Sequence, residues 1–509
     1  MHQLKSIPRV AHPTLVVELA VSGAASLVMA AYATTLTANP LDRLGQVSAL
    51  ASLQLPFAAL AILALLMGSR SIRISRDPRP AYAAAFAILA GATSGFVAGG
   101  LVFALRGTPY PLFGPNGDSG VLIQWATQFA NGDGLNLSYP PAIILLLSFA
   151  SKLLGSPPEY VLKLLQVTLT ALSIPINYTL WRTLLRPAPS LAVAAIAGLV
   201  LIDPYKPYTG PALVACIVGV VHLIRGTRAA VNWTIRGILR RGFLVGGCVG
   251  IVALVYSGWF VWTAPGAIAA ALFTLSTTNT SKQDILKKLG FLTTCGIAFV
   301  LVAGIHIVAI TKAGVVDKYV YFDALVDPAY VTMWRSDFPG IVGEWPPPGE
   351  IGGVSVFLLS LAAFTSVAWV KRGTEPIVHV LVLSASGAWI LRHLIASQMS
   401  ASGTVQLWPR TSMEITYCLL VLAALGAREV FLTWITTLEM EPLKLARRTV
   451  TAALLASSFI LASGASSISD HYMPANEDSR RFLAWISHSE PLLDGECPSI
   501  TTPECSPSN

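Results

Sequence analysis

The stretch YAAAFAILAGATSGFVAGGLVFAL, residues 82–105, contains no charged side chain. As an α-helix it would extend about 36 Å, since each residue rises about 1.5 Å, and this exceeds the ~30 Å hydrocarbon core of a bilayer. Apolar runs of about 17 to 24 residues, the length of a membrane span, recur along the chain. Of the 509 residues 54% are hydrophobic and 12% are charged, whereas a soluble protein carries about 25% charged residues. The sequence therefore predicts an all-α polytopic membrane protein.

Length and flanking charge predict about 13 transmembrane helices. The predicted spans are 14–37, 48–68, 82–105, 159–182, 188–202, 208–224, 242–262, 265–279, 290–311, 351–370, 376–396, 411–433 and 449–468. The first span follows Lys5 and Arg9. It is too long for the apolar core of a cleavable signal, so we expect a retained signal anchor.

Basic residues are concentrated in alternate connections between these spans. With a cytoplasmic N-terminus, the clusters within 70–79, 225–241, 282–288 and 444–448 all fall on the cytoplasmic side, as the positive-inside bias requires. The formal net charge of +8 is then explained by topology and by anionic lipid, and it gives no reason to expect a nucleic-acid partner. We expect a multi-pass protein of the plasma (inner) membrane whose C-terminus is extracytoplasmic.

This topology requires that residues 139–155 do not cross the membrane. Tyr139-Pro140-Pro141 opens this apolar segment, and we expect a helix at the outer surface with the two prolines in its first turn. The chain then divides into a transmembrane domain, 1–468, with a large outer loop at 106–158, and a short extracytoplasmic tail at 469–509.

A flexible turn in the first outer loop, residues 114–120, holds one carboxylate, Asp118. The turn leads into a segment in which Val121, Trp125 and Phe129 share one helical face. Such a segment predicts a short amphipathic helix that lies on the bilayer. Asp118 is therefore expected at the membrane surface, just before an interfacial helix.

The order of these parts resembles the GT-C superfamily of lipid-dependent glycosyltransferases, which carry a catalytic acid in the first large outer loop, interfacial helices and a Tyr-Pro-Pro element. A closer resemblance is to the actinobacterial galactan arabinofuranosyltransferase family. The similar residues are Leu112-Phe113-Gly114 with Asp118, Tyr139-Pro140-Pro141, Gly155-Ser156-Pro157 with Lys163, and more weakly Pro207-Tyr208 and 421–427. Two features depart from that family. Its large folded outer domain after the last span is replaced by a short tail, and Lys206 stands before Pro207-Tyr208 where the family has an acid.

The resemblance implies an inverting transfer from a polyprenyl-phosphate sugar, decaprenyl-phosphate arabinofuranose, to a cell-envelope glycan, without a cofactor or metal. An acceptor hydroxyl is a poor nucleophile near neutral pH, so a carboxylate must take its proton, and we assign this role to Asp118. The leaving phosphate needs positive charge nearby. The candidate phosphate-binding residues are Lys163, Arg410, Arg392 and Lys206. The candidate substrate-binding residues are Tyr139, Ser119, Asp203, Tyr208, His393 and Glu414.

Several of these residues also have a purely structural interpretation. Asp118 is compatible with a solvated turn, Lys163 with a side chain that snorkels to the surface, and Asp203 with a local ion pair to Lys206. Tyr139 is compatible with an interfacial anchor. A pairing of Cys497 with Cys505 is open at this stage.

Two other functional classes remain. A secondary transporter or lipid-linked-sugar flippase would find hinges at Pro175 and Asn177, although polar groups are few at the midplane of the spans. A catalytically silent membrane subunit of an envelope assembly is the third possibility. Release of polyprenyl phosphate from a lipid-linked sugar would separate the enzyme from both.

Overall fold

The computed structural model describes residues 12–74, 79–276, 281–313, 375–403, 411–436, 442–477, 479–492 and 494–506. Within these ranges all regular structure is helical. The helices are α1 His12–Thr34, α2 Arg43–Ile74, α3 Arg79–Ala104, α4 Gly117–Asn131, α5 Pro141–Leu154, α6 Pro158–Arg182, α7 Pro187–Leu191, α8 Thr209–Ala229, α9 Ile235–Val255, α10 Gly258–Ser276, α11 Lys282–Ala313, α12 Glu375–Ser397, α13 Met399–Ser402, α14 Thr411–Thr436, α15 Pro442–Asp470 and α16 Arg481–Ser489.

Ten helices of the described residues are long and apolar enough to cross a membrane. They are α1, α2, α3, α6, α8, α9, α10, α11, α12 and α15. The prediction of an all-α multi-pass membrane protein is confirmed. Of the three other predicted spans, 188–202 forms shorter helical segments, 411–433 falls in α14, and 351–370 lies outside the described residues.

Helix α3, which contains residues 82–105, lies at the centre of the bundle and is almost wholly buried. Its glycines allow α1 to approach closely. A Cβ on Gly91 would lie 1.9 Å from the carbonyl oxygen of Ser22, and one on Gly95 would lie 2.7 Å from Cα of Ser26. Small residues permit such close packing where lipid offers no hydrophobic driving force between helices. The absence of charge in α3 thus reflects burial in protein as well as in the bilayer.

Polar contacts also join α1 and α3 to α6. The hydroxyl of Ser26 donates to the carbonyl of Ala171 at 2.7 Å, and that of Ser94 donates to the carbonyl of Thr170 at 2.6 Å. At the C-terminal end of α6, Arg182 and Glu18 form a buried ion pair. These groups satisfy one another because no water is available in the hydrocarbon core.

Apolar side chains on several spans point away from the protein. The exposed ones include Val16, Leu27, Leu244, Ile251, Val300, Leu301 and Ile305. They lie on the peripheral helices α1, α9 and α11. An exposed apolar surface of this kind is what a bilayer solvates.

One predicted span boundary is wrong. The predicted break between 242–262 and 265–279 is found earlier, because Tyr256 is extended and ends α9, whereas Pro265 lies inside α10. Membrane helices tolerate an internal proline when neighbouring groups satisfy the freed carbonyl. The predicted span 188–202 begins as α7 and continues as a π-helical turn at 192–196 and a 3₁₀ turn at 197–201.

Tryptophan is enriched at membrane–water interfaces, but two tryptophans of α10 lie inside the protein. Trp259 and Trp262 are 1% and 3% exposed, so they pack inside the protein and not against headgroups. The indole of Trp259 donates to the carbonyl of Thr209 at 2.8 Å. Trp334 and Trp345 lie outside the described residues.

One end of the bundle, which we call the loop end, is formed by residues 105–158, 202–208, 471–477, 479–492 and 494–506. Helix α5 begins at Pro141 after Pro140, as predicted, and its 14 residues are too few to cross the hydrocarbon core. Cys497 and Cys505 form a disulfide in the tail, with a Cα–Cα distance of 6.1 Å. The tail is folded against the loop that carries Asp118.

Candidate active site

The turn before α4 is built by left-handed backbone positions. Phe113, Gly114 and Gly117 all have positive φ, at 70°, 56° and 51°. Glycine adopts this region without strain, whereas Phe113 does so at a cost of about 1 kcal/mol or more. The hydroxyl of Ser119 donates to the carbonyl of Leu112 at 2.8 Å and closes the turn. The backbone thereby directs Asp118 to the start of α4.

Asp118 lies in the first turn of α4 and forms an ion pair with Lys206. The side chain of Asp118 is 42% exposed and that of Lys206 is 20% exposed. A carboxylate is also favoured at a helix N-terminus, where the unpaired N–H groups carry partial positive charge. Asp118 is therefore an accessible carboxylate beside a fixed cation.

Tyr205 connects the turn that carries Lys206 to the N-terminus of α4. Its hydroxyl accepts hydrogen bonds from the backbone N–H groups of Asp118 at 2.8 Å and Ser119 at 3.4 Å. Its ring meets Phe113 edge-on at 6.3 Å between centroids. Tyr205 thus binds the backbone of Asp118, and the adjacent Lys206 binds its carboxylate.

Gln166 on α6 bridges the loop that carries Asp118 and the turn that contains Tyr205 and Lys206. Its amide N–H donates to the carbonyl of Tyr205 at 3.1 Å, and its carbonyl oxygen accepts from the backbone N–H of Leu112 at 2.8 Å. Gln166 is 2% exposed. A rigid span therefore supports both loops through one buried amide.

Asp203 begins the turn that contains Tyr205 and Lys206. One carboxylate oxygen accepts from Arg480 at 2.8 Å, from the hydroxyl of Tyr472 at 2.8 Å, and from the N–H of Tyr205 at 3.1 Å. Burial acts to raise the pKa of Asp203, but Arg480, the Tyr472 hydroxyl and Lys206 hold it below its usual range. Asp203 is therefore an anion that is already bound by protein groups.

Tyr139 and Tyr208 lie next to each other at the loop end, with their hydroxyl oxygens 3.0 Å apart. Tyr139 packs against Trp125 at 5.2 Å between ring centroids, and Tyr208 lies 6.4 Å from Tyr256. Burial raises the pKa of Tyr139, and the charge of Lys206 opposes this. These rings form an aromatic group on the Asp118 side of the bundle, suited to contact the apolar face of a ligand.

Lys163 is engaged within the protein. Its ammonium donates to the carbonyls of Leu105 at 2.8 Å and Thr108 at 2.5 Å. These carbonyls follow the C-terminus of α3, which carries partial negative charge and favours a cation. The described contacts of Lys163 therefore hold α3 and the first loop together.

The remaining candidates lie on α12 and α14. Arg392 is buried and donates to the hydroxyls of Thr411 at 2.9 Å and Ser412 at 2.6 Å. Glu414 is buried and accepts from the hydroxyl of Thr263. His393 is close to the backbone carbonyl of Trp389 on its own helix. Arg410 lies outside the described residues.

The structure thus brings together Asp118, Ser119, Lys206, Asp203, Tyr139 and Tyr208. Sequence reasoning missed four residues of this region, namely Tyr205, Gln166, Tyr472 and Arg480. The contact between Arg480 and Asp203 spans 277 positions, so no local pattern predicts it. Within the described part of the chain, no group of three or more His, Cys, Asp or Glu residues is suited to hold a metal ion.

No protein-family model and no curated protein matches the sequence. Among solved structures, a similar chain is ArnT from Cupriavidus metallidurans bound to undecaprenyl phosphate, with a TM-score of 0.40 and 12% sequence identity. The similarity covers 77% of this chain and 76% of that chain. A likeness of this size identifies neither an activity nor a set of site residues.

Proposed function

We propose that this protein is an inverting GT-C-type glycosyltransferase that takes a sugar from a polyprenyl-phosphate donor at the loop end of the bundle. The observation that carries the proposal is an accessible carboxylate, Asp118, held beside a cation, Lys206, at the start of a helix at the edge of a membrane bundle. Transfer from a lipid phosphate needs this combination of a base and a positive charge at the membrane surface.

In the proposed reaction, Asp118 accepts the proton of the acceptor hydroxyl as its oxygen attacks the anomeric carbon. The bond from that carbon to the phosphate oxygen breaks, and the electron pair leaves with the polyprenyl phosphate. Attack opposite the leaving group inverts the anomeric configuration. A phosphate monoester is a competent leaving group, so the chemistry requires charge stabilisation and does not require a general acid.

Lys206 is our candidate for stabilising the departing phosphate, because its ammonium lies at the loop end in the region of the proposed base and its side chain is 20% exposed. Lys163, Arg392 and Arg410 are the other candidates, and Arg410 lies outside the described residues. Lys163 and Arg392 would have to exchange protein oxygen ligands for phosphate. Burial makes such an exchange costly, since each ligand oxygen would lose its own hydrogen-bond partner.

The identity of the sugar and the side of the membrane on which the loop end lies are further proposals. Resemblance to the galactan arabinofuranosyltransferases over residues 112–163 supports decaprenyl-phosphate arabinofuranose as donor and a cell-envelope glycan as acceptor. The distribution of basic clusters supports an extracytoplasmic loop end. We propose that Tyr139 and Tyr208 contact the donor, and that Asp203, Ser119, His393 and Glu414 shape the surrounding site.

The test is release of polyprenyl phosphate when purified protein is mixed with decaprenyl-phosphate arabinofuranose and an acceptor glycan. Asp118→Asn should lower kcat by about 10²- to 10⁴-fold, the range that general-base catalysis contributes. Asp133→Asn is the matched control, because Asp133 is an exposed acid in the second turn of the same loop. Turnover by Asp118→Asn at the rate of the unmodified protein would refute the assigned base. Turnover with decaprenyl-phosphate mannose in place of the arabinose donor would refute the sugar alone.

A transporter or flippase is the second candidate, and one observation favours it. Both polar atoms of the buried Asn177 side chain lack a hydrogen-bond partner among the described residues. Asn177 follows Pro175 in α6, and a Cβ on Gly198 of the 3₁₀ turn would lie 3.7 Å from its amide nitrogen. Irregular helix next to an unsatisfied polar group is a common place for a hinge. Movement of labelled lipid-linked sugar across proteoliposomes, unaffected by Asp118→Asn, would support this candidate.

A further inference from the structure

The C-terminal tail is docked on the loop that carries Asp118. The hydroxyl of Thr108 donates to the carbonyl of Ser487 at 2.6 Å, and the hydroxyl of Ser487 donates to the carbonyl of Pro111 at 2.6 Å. The N–H of Phe113 donates to the carbonyl of Leu483 at 2.7 Å. The tail therefore contacts residues 108–113, the segment that precedes Asp118 and contains the strained Phe113.

Two tail residues, Tyr472 and Arg480, extend these contacts to Asp203. Arg480 donates to Asp203 at 2.8 Å and to the hydroxyl of Tyr472 at 2.5 Å, and that hydroxyl donates to Asp203. The Asp203 side chain is 18% exposed. A largely buried carboxylate needs a counter-charge, because its desolvation is costly when it is unpaired. Arg480 supplies that charge.

Asp203 in turn fixes the 203–206 turn. Its side chain accepts from the N–H of Tyr205, and its backbone carbonyl accepts from the N–H of Lys206 at 3.1 Å. The side chains of Tyr205 and Lys206 then reach Asp118. A continuous chain of contacts thus runs from the tail through the turn to the proposed base.

Lys206 is influenced by two carboxylates. It is paired with Asp118, and its charge also acts on Asp203. If Arg480 were neutral, Asp203 would be a buried anion with Lys206 as a neighbouring cation. Coulomb attraction strengthens as the local dielectric falls, so the more buried carboxylate would compete for Lys206.

We propose that Arg480 is a positioning residue of the active site, which neutralises Asp203 so that Lys206 and Tyr205 remain on Asp118. This inference rests on the proposed function. It makes the tail part of the catalytic centre, through Asp203 and the turn at residues 203–206. The tail would then be required for turnover even when the membrane bundle is intact.

The experiment compares steady-state release of polyprenyl phosphate by Arg480→Gln, Asp203→Asn and the double variant in the full-length protein. We expect Arg480→Gln to lower kcat by about 10-fold or more, because small displacements of catalytic groups are costly, and to change KM for the donor by less than about 3-fold. Asp203→Asn should lower kcat less than Arg480→Gln does, because the buried anion that would compete for Lys206 is then removed. The double variant should match Asp203→Asn, which is the pattern of two residues that act as one unit.

Two further variants separate positioning from general structural loss. Arg480→Lys keeps the charge and should retain more than about half of kcat, since the charge is the property that matters. Arg481→Gln is the matched control, because Arg481 is the next residue but contacts Asp470 and Glu477. It should leave kcat unchanged. If Arg480→Gln does not fold, Arg480→Lys and the double variant still decide.

The proposal is overturned if Arg480→Gln keeps kcat within about 2-fold of the unmodified protein, or if the double variant loses the product of the two single effects. It is also overturned if Arg480→Lys, folded, is as slow as Arg480→Gln. Failure of the proposed function gives a different result, because the unmodified protein would then release no polyprenyl phosphate. A failure of the inference alone would leave the unmodified protein active and Asp118→Asn inactive.

Discussion

The ion pair between Glu18 on α1 and Arg182 on α6 gives the sharpest stability prediction. The pair is bidentate, with Nε to Oε2 at 2.6 Å and Nη2 to Oε1 at 2.8 Å, and the residues are 4% and 5% exposed. The third guanidinium nitrogen, Nη1, donates to the carbonyl of Leu185. Removal of the carboxylate therefore leaves a buried cation with one described backbone acceptor.

We expect Glu18→Gln to lower the free energy of unfolding by about 3 to 5 kcal/mol, the cost of breaking a buried pair by removing one partner. The double variant Glu18→Leu with Arg182→Met removes both charges. It should lie within about 1 to 2 kcal/mol of the unmodified protein, because replacing a buried pair by apolar groups is often neutral or stabilising. If removing either partner alone costs about 3 to 5 kcal/mol, two independent residues would together cost about 6 to 10 kcal/mol. The coupling between Glu18 and Arg182 is therefore readily measured.

Reversible unfolding in mixed micelles of a mild detergent and dodecyl sulfate, followed by circular dichroism, measures these differences. Arg43→Gln is the control, because Arg43 pairs with Asp470 while its own side chain is 55% exposed. It should cost no more than about 1 kcal/mol, as exposed pairs do. The reasoning is refuted if Glu18→Gln costs no more than Arg43→Gln, or if the double variant is less stable than Glu18→Gln.

Three further predictions concern the loop end. Tyr205→Phe removes the hydroxyl that accepts from the N–H of Asp118; we expect a stability cost of about 1 kcal/mol and a lower kcat, and an unchanged kcat would contradict the positioning role. Gly117→Ala should destabilise the protein more than Gly132→Ala, because both glycines have positive φ but only at Gly117 would the new Cβ meet a ring, at 2.7 Å; equal melting temperatures would contradict this. The lowered pKa of Asp203 means that its stabilisation is present above the unfolded value of about 3.9 and is lost as pH falls through the lower folded value. Protease sensitivity of the tail should rise in that range, and Asp203→Asn should remove this dependence.

The membrane character of the chain could be predicted because it rests on composition alone. A run such as 82–105 has to be helical in lipid, since each backbone N–H and C=O must be satisfied within the segment. The helix starting at Pro141 could also be predicted, because proline is favoured in a first turn and the distribution of basic clusters indicated that the segment does not cross the membrane. The end of α9 at Tyr256 could not be predicted, because Pro265 is the stronger local signal for a helix break. In the structure Pro265 lies inside the packed helix α10.

The features of the candidate site also divide into those that the sequence predicted and those that only the tertiary structure revealed. The sequence by itself determined that Asp118 lies in a glycine-rich turn before a helix on a large loop, because turn chemistry and amphipathic spacing are local properties. Only the tertiary structure decided that Lys206 is the partner of Asp118, that Lys163 is held by backbone carbonyls, and that Arg480 reaches Asp203. These contacts join residues far apart in the chain, and which charge meets which depends on how the spans pack, a property that no local pattern of residues contains.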